Sequence, residues 1–95
     1  MSAIKDVLKG KHKNSYSLSR PPGHHCLPDY PNGFCLLANI AIAIESAISE
    51  NLAKKFCVID WDVHHGNGTE AIFYDRPDVL TISVHQERNY PVDTG

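Results

Sequence analysis

Apolar residues recur every four positions along the middle of the chain. Alanines occupy most of the positions between them. This spacing predicts a helix that begins near Phe34, and because the pattern is apolar on most sides we expect the helix to be largely buried. The repeat consists of Leu36, Ile40, Ile44, Ile48 and Leu52.

Two shorter apolar segments have the composition of strands. Residues 56–59 and 79–84 are nearly continuous in apolar and β-branched side chains, as expected for strands that are covered on both faces. Between them Thr69 is a suitable N-cap for a helix that ends at about Tyr74, before Pro77.

Weaker signals precede the long helix. Residues 3–8 place their apolar side chains on one face of a short helix, and residues 16–19 predict a brief strand before a loop that begins at Arg20. The alternation of helices and strands favours the α/β class, with a parallel sheet and right-handed crossovers. Ligands of such sheets bind beyond the carboxyl ends of the strands.

Composition and charge exclude several classes of protein. The 95 residues include 9 basic and 11 acidic side chains, a net charge of −2, and 42% of them are hydrophobic. This composition suits one globular unit and disfavours direct binding to nucleic acid, which usually requires a basic surplus. Residues 1–20 hold five of the nine basic side chains, and we interpret them as a solvated basic face.

Cysteine content indicates the cellular compartment. Cys26, Cys35 and Cys57 form no closely spaced pair, and the sequence shows no secretory leader, so a reducing cytoplasmic location is predicted. We expect Cys35 and Cys57 to be small buried side chains. No apolar run reaches the ~20 residues that span a bilayer, so no membrane association is expected.

Acidic and histidine side chains follow the first predicted strand at alternate positions. If the backbone stays extended, Asp60, Asp62 and His64 point to one side. Carboxylates that lie so close repel each other unless a cation compensates, and Asp and His are suitable zinc ligands. The alternative is a helix-capping Asp with hydrogen-bonded histidines in a strand-to-helix loop.

A second histidine cluster lies in the loop that is rich in proline and glycine. His24 and His25 are adjacent there, and such a pair can offer one neutral ring as a proton acceptor and a second ring to hold or donate a proton. Each ring needs a partner on its far nitrogen, and Asp60 and Asn67 are available. On its own, the pair could equally be an accident of the surface.

These motifs together resemble the zinc-dependent histone deacetylase family, nearest to its class II and bacterial deacetylase-like branch. The resemblance covers essentially the whole chain and implies the three-layer α/β/α arginase/deacetylase-type fold and hydrolysis of an N-acetyl amide. The motifs are RPPGHH at 20–25, GFC at 33–35, DWDVHHGNGT at 60–69, SVH at 83–85 and the loop 90–95.

The resemblance also implies a role for each polar residue of the site. Asp62 and His64 would bind zinc, whose bound water attacks the acetyl carbonyl, while the tandem histidines manage protons. His25 would be the main general base and acid, with His24 as its electrostatic partner. The orienting partners would be Asp60 for His24 and Asn67 for His25, and an Asn at 67 makes the dyad of His25 less basic than a His–Asp dyad.

Two further sets of residues follow from the resemblance alone. Gly33, Phe34 and Tyr90 resemble the walls of the narrow channel that accepts an acyl-lysine stem, although Phe34 would also suit a core position at a helix start. A structural potassium site would use the backbone of Asp60, Asp62 and His64 with Ser83 and Val84.

The resemblance implies that residues 1–95 are a partial deacetylase domain that lacks its N-terminal and C-terminal portions. The family takes a second Asp ligand and a transition-state-stabilising Tyr from later in its domain. We therefore expect this chain alone to be inactive or nearly so, and to associate with itself through an exposed sheet edge.

Two alternative functions differ from the deacetylase in the residues that they need. A manganese ureohydrolase of the arginase type needs a further carboxylate two residues after the metal-binding His, and position 66 is Gly. A non-catalytic remnant or interaction module of the same fold remains the alternative. The predicted partner is an acetylated lysine in a protein or a small acetylated amine.

Overall fold

Three helices and two strands form a small α/β unit in the computed structural model, which describes residues 1–95. None of the helices combines the length and the hydropathy needed to cross a bilayer. The elements are α1 (Ser2–Leu8), α2 (Asn39–Ser49), β1 (Phe56–Asp60), α3 (Asn67–Phe73) and β2 (Val79–Ser83).

The two strands pair in parallel, as the sequence pattern predicts. Phe56 lies opposite Val79, and Asp60 lies opposite Ser83, so both strands end at the same edge of the sheet. Helix α3 makes the crossover between them. The loop that follows β1 therefore lies beside the segment that follows β2, where ligands of parallel sheets bind.

The core lies between helices α2 and α3 and one face of this sheet. Each fully buried side chain of the size of Ile44 or Phe73 stabilises the fold by about 1.5–3 kcal/mol. The buried cluster consists of Ala41, Ile44, Val58, Phe73 and Val79.

The other face of the sheet is exposed, which contradicts two expectations. The strands are not covered on both faces, because no element packs against Ile59 or Leu80. Cys57 is exposed for the same reason, whereas Cys35 is buried as predicted. Helix α2 likewise buries one face only, and Ile40 stays exposed. Self-association through such surfaces remains a prediction.

Three boundaries also differ from the predicted ones. Helix α2 begins at Asn39, because Phe34 has a φ of 62° and belongs to a tight turn. Helix α3 begins at Asn67 after Gly66, so Thr69 lies inside the helix and does not cap it. Residues 16–19 form no strand, since the sheet has two members and neither pairs with them.

Arg76 links helices α2 and α3 with the residue that precedes β2, on one side of the core. Its guanidinium donates two hydrogen bonds to the Asp78 carboxylate, at 2.9 and 2.7 Å, and a third to Glu45 of α2. It also lies over the Phe73 ring, 5.7 Å from the ring centroid. The hydrogen bonds from Arg76 lower the pKa of Asp78 below its ordinary value.

Replacing Arg76 by Gln is expected to reduce stability in a pH-dependent way. Because the pKa of Asp78 is lower in the folded than in the unfolded chain, this contact stabilises the fold above the ordinary carboxyl pKa and is lost as pH falls through the folded value. Urea unfolding at pH 7 and pH 3 measures the effect, and Arg88→Gln, at an 89% exposed side chain, is the control. An equal Arg76→Gln difference at both pH values would contradict the assignment.

Candidate active site

The histidine loop is held against the start of helix α3. The carbonyl oxygen of His24 accepts hydrogen bonds from the backbone N–H groups of Gly68 and Thr69, at 2.9 and 3.2 Å. A Cβ atom at Gly68 would lie 2.3 Å from the carbonyl oxygen of Cys26, so only glycine allows this approach. The contact fixes the backbone that carries the paired histidines.

The loop after β1 is organised by its own acidic side chains. Asp60 Oδ1 accepts the N–H of Asp62 at 3.0 Å, and Asp62 Oδ1 accepts the N–H of His64 at 2.8 Å. Such turns, in which an Asp side chain accepts a backbone N–H two residues on, favour one loop conformation. Two successive turns of this kind place Asp62 and His64 at the end of the strand.

Backbone hydrogen bonds also tie this loop to the segment that follows β2. The N–H of Val84 donates to the carbonyl of Asp60 at 2.9 Å, and the N–H of Gln86 donates to the carbonyl of Val63 at 3.0 Å. The parallel pairing of the sheet is thus continued past the ends of both strands. The position of the loop is set by main-chain contacts on one side and by the Asp turns on the other.

Each histidine of the pair has a polar partner from a different part of the chain. His24 Nδ1 lies 2.7 Å from Asp60 Oδ2, and His25 Nδ1 lies 2.9 Å from Asn67 Oδ1. Because both partner oxygens accept, each ring directs its Nδ1–H to that partner and turns Nε2 away from it. The two rings lie side by side with centroids 4.0 Å apart. These are the pairs that the sequence predicts, and their catalytic roles remain predictions.

The electrostatics of the site favour a neutral His25 and an ionised Asp62. Burial lowers the pKa of His25, and the positive charge of nearby His24 lowers it further, against the opposing hydrogen bond to Asn67. The hydrogen bond from the His64 N–H lowers the pKa of Asp62, and the neighbouring histidines act in the same direction. A neutral imidazole thus faces a carboxylate across the site.

Asp62 and His64 are the residues that would hold a metal ion. His64 Nδ1 lies 3.3 Å from Asp62 Oδ1, and His24 Nε2 lies 3.8 Å from the same oxygen. A carboxylate oxygen and an imidazole nitrogen that converge in this way fit the donor chemistry of zinc. The chain brings together no group of three or more His, Cys, Asp or Glu side chains able to hold a metal ion. Asp62 and His64 as metal ligands remain a prediction.

A cavity of about 550 Å³ connects Asp62 and His64 with the tandem histidines. Gly33, Phe34 and Tyr90, the predicted channel residues, form its walls. Gly33 has a φ of 53°, and a Cβ there would lie 2.4 Å from His25 Cδ2, so glycine lets the wall pack against the imidazole. Phe34 is 92% exposed, which contradicts a core position and leaves the wall position.

The residues of the predicted potassium site lie together, and the Ser83 side chain bonds to two neighbours outside that set. Ser83 Oγ lies 2.8 Å from His85 Nδ1 and accepts the N–H of Gly66 at 3.4 Å. Asp60 and Ser83 border a separate cavity of about 30 Å³. The backbone carbonyls that would complete a potassium site belong to the loop described above, and the site remains a prediction.

Two polar groups that the sequence pattern leaves out, Asn32 and His65, connect distant parts of the chain. Asn32 Oδ1 accepts a hydrogen bond from the Tyr90 hydroxyl at 2.9 Å. His65 is buried and bonds through its two nitrogens to Glu70, at 2.7 Å, and Thr94, at 2.9 Å. The Asn32–Tyr90 contact joins residues 58 positions apart, and the His65–Thr94 contact joins residues 29 positions apart. The sequence carries no signal for either contact, because neither follows the period of a strand or a helix.

Comparison with known proteins relates this geometry to one family. The family model of the histone deacetylase domain matches residues 1–95. A histone deacetylase-like amidohydrolase of Pseudomonas aeruginosa is 58% identical over 91 residues, which cover 96% of this chain and 24% of that protein. A probable deacetylase of Methanothermobacter thermautotrophicus is 56% identical over 73 residues, which cover 77% of this chain and 22% of that protein.

Solved structures agree with the sequence comparison. The HDA15 HD domain superimposes with a TM-score of 0.89 at 44% identity, over 95% of this chain and 27% of that one. The chain thus spans about a quarter of these relatives, and the match confirms that its helices and parallel strands are part of the predicted α/β fold. The family is generally metal-dependent. The chain belongs to the histone deacetylase family, whose members are hydrolytic enzymes.

Proposed function

We propose that the protein to which this chain belongs is a zinc-dependent deacetylase that hydrolyses N-acetyl-lysine or a related acetylated amine. The observation that carries the proposal is the shared cavity, into which two oriented histidines and the Asp62–His64 pair all point. Zinc in such a site supplies Lewis-acid polarisation of a carbonyl oxygen and a more acidic water molecule. Asp62 and His64 would be two of its ligands.

The main proton-transfer group in this proposal is His25. Its Nδ1–H donates to Asn67, so its Nε2 lone pair is free to accept a proton from the attacking water. Because burial lowers the pKa of His25, the ring is neutral and ready to accept at pH 7. The same Nε2–H then donates the proton to the amine nitrogen as the amide C–N bond breaks, which restores the neutral ring.

His24 has a different partner and hence a different task. Its Nδ1–H donates to the Asp60 carboxylate, which stabilises positive charge on that ring more than a neutral amide does. We assign it the electrostatic role beside His25. The ring also lies between the Asp60 and Asp62 carboxylates, so it separates two like charges at the site.

The walls of the cavity favour a narrow substrate. Gly33, Phe34 and Tyr90 offer apolar surface on both sides of His25, which suits an alkyl stem with a polar acyl amide at its end. We further propose a cytoplasmic location, supported by three free thiols. An acetylated lysine in a protein and a small acetylated amine both fit this description.

An activity assay with an acetyl-lysine peptide tests the proposal. The product of the full reading frame that contains residues 1–95 is expected to release acetate, to lose this activity with a chelator and to regain it with Zn²⁺. Asp62→Asn is expected to lower zinc affinity by at least tenfold, because a neutral amide is a poorer ligand than a carboxylate. Asp29→Asn, in an exposed loop outside the cavity, is the matched control.

The same assay on the isolated 95-residue chain tests the expectation that it is inactive alone. Chelator-sensitive turnover by the isolated chain would contradict that expectation. Zinc-loaded full-length protein that folds and hydrolyses no acetyl amide would overturn the deacetylase and favour the non-catalytic alternative.

A further inference from the structure

A hydrogen bond connects the two walls of the cavity. The Tyr90 hydroxyl donates to Asn32 Oδ1 at 2.9 Å, and the two residues are 58 positions apart. Asn32 directly precedes the wall formed by Gly33 and Phe34. The contact therefore joins the turn that carries one wall to the side chain that forms the other.

The main chain at both ends of this hydrogen bond has contacts of its own, whereas the Tyr90 side chain is held by the bond itself. Asn32 forms a pair of backbone hydrogen bonds with Cys35, at 3.1 and 2.8 Å, and Cys35 is 1% exposed. On the other side, the N–H of Tyr90 donates to the Asn89 side chain at 2.7 Å, and the following Pro91 is buried. The bond is exposed to solvent, and what it restrains is the rotation of the Tyr90 side chain against the opposite wall.

The hydrogen bond of the hydroxyl also fixes the orientation of the Tyr90 ring beside His25 and His64. The Tyr90 ring stands edge-on to His25, at 5.1 Å between centroids and 88° between planes. It meets His64 in the same way at 6.0 Å and 89°. A ring without the hydroxyl anchor keeps these contacts but has no bond that opposes its outward movement.

We propose that the Asn32–Tyr90 hydrogen bond is a latch that fixes the width of the cavity, and that these two residues select acylated amines with a narrow, unbranched stem. The selectivity rests on the proposed deacetylase function. Asn32 and Tyr90 are positioning and specificity residues and take no part in proton transfer. With the latch broken, the Tyr90 wall moves outward and a wider stem enters.

Two substrates and three variants test the latch on the full-length, zinc-loaded protein. The substrates are a peptide with acetyl-lysine and the same peptide with N-acetylated 4-aminomethyl-phenylalanine, whose ring widens the stem. Tyr90→Phe and Asn32→Leu each remove the bond, and Asn32→Asp keeps an acceptor oxygen. Tyr74→Phe removes the hydroxyl of an exposed tyrosine outside the cavity and is expected to leave both activities unchanged.

The expected result is a change in substrate preference. The ratio of kcat/KM for the narrow over the wide substrate falls about threefold to tenfold in Tyr90→Phe and in Asn32→Leu, chiefly because KM for the wide substrate decreases. The double variant shows the same fall as either single variant, and Asn32→Asp restores the preference. A merely structural role would lower both activities together and leave the ratio unchanged.

The outcomes separate the latch from the function on which it rests. If the wild type hydrolyses acetyl-lysine but all variants keep its preference, the latch is overturned and the function stands. If the folded wild type hydrolyses neither substrate, the proposed function fails. The unfolding free energies of the same single and double variants then test whether the Asn32–Tyr90 hydrogen bond forms. If the destabilisation of the double variant is smaller than the sum of the two single destabilisations, the two residues are coupled and the latch is supported. If the destabilisations add, the latch is overturned.

Discussion

His25→Ala is expected to lower kcat for acetyl-lysine hydrolysis by about 10²- to 10⁴-fold in the full-length protein. The substitution removes the Nε2 lone pair that accepts a proton and leaves the Asp62–His64 pair and His24 in place. It also frees the Asn67 side chain, whose oxygen then bonds to water. Substrate binding depends mainly on the walls, so KM is expected to change much less than kcat.

Three measurements accompany this prediction. Circular dichroism and urea unfolding establish that the variant folds, since His25 is buried. His12→Ala changes an exposed histidine outside the cavity and serves as the matched control. Zinc content is measured in both variants, because His25 is not a proposed ligand and its loss should leave zinc bound. A kcat within a factor of a few of the wild type would show that another group transfers the proton.

Gly68→Ala is expected to destabilise the fold by about 1–3 kcal/mol, although helix propensity alone predicts the opposite sign. An alanine Cβ at this position would lie 2.3 to 2.7 Å from three backbone atoms of Cys26. Backbone cannot rotate away as a flexible side chain can, so helix α3 must move off the histidine loop. The N–H contacts of Gly68 and Thr69 with the His24 carbonyl are lost with that movement.

Ala71→Gly in the same helix is the control for Gly68→Ala. Ala71 is exposed, so its replacement reports the intrinsic cost of glycine in α3, about 0.5–1 kcal/mol. Both variants are compared by urea unfolding. Stabilisation by Gly68→Ala would mean that the helix and the loop are not in contact. Because Asn67 moves with the helix, we also expect a loss of activity in Gly68→Ala that Ala71→Gly does not show.

The fold could be predicted where the pattern is local and repetitive. The strands at 56–59 and 79–84 and their parallel pairing follow from apolar runs separated by a helix. Burial could not be predicted from the same runs. A strand of this composition is typically covered on both faces, but no element of this chain packs over the face that carries Cys57 and Ile59. The start of α2 was misplaced because apolar periodicity cannot report the positive φ of Phe34.

The candidate site could be predicted to the level of which residues belong together. Motif resemblance pairs His24 with Asp60 and His25 with Asn67, and the structure has both pairs at hydrogen-bond distance. The Asn32–Tyr90 contact could not be predicted, since it depends on how two loops meet in space. The sequence identifies polar residues that belong to motifs shared by a family. It does not identify a contact between two side chains that lie outside those motifs.

The main-chain hydrogen bonds from Val84 and Gln86 to the loop after β1 make the position of that loop largely independent of its outward-facing side chains. Trp61 and Val63, which alternate with the two proposed ligands, are exposed and contribute little to holding that loop. Within residues 1–95 the course of this loop is therefore carried by the main chain and by its Asp turns, and the side chains at 61 and 63 add little to it. Replacing either side chain should accordingly leave the register between this loop and the segment after β2 unchanged.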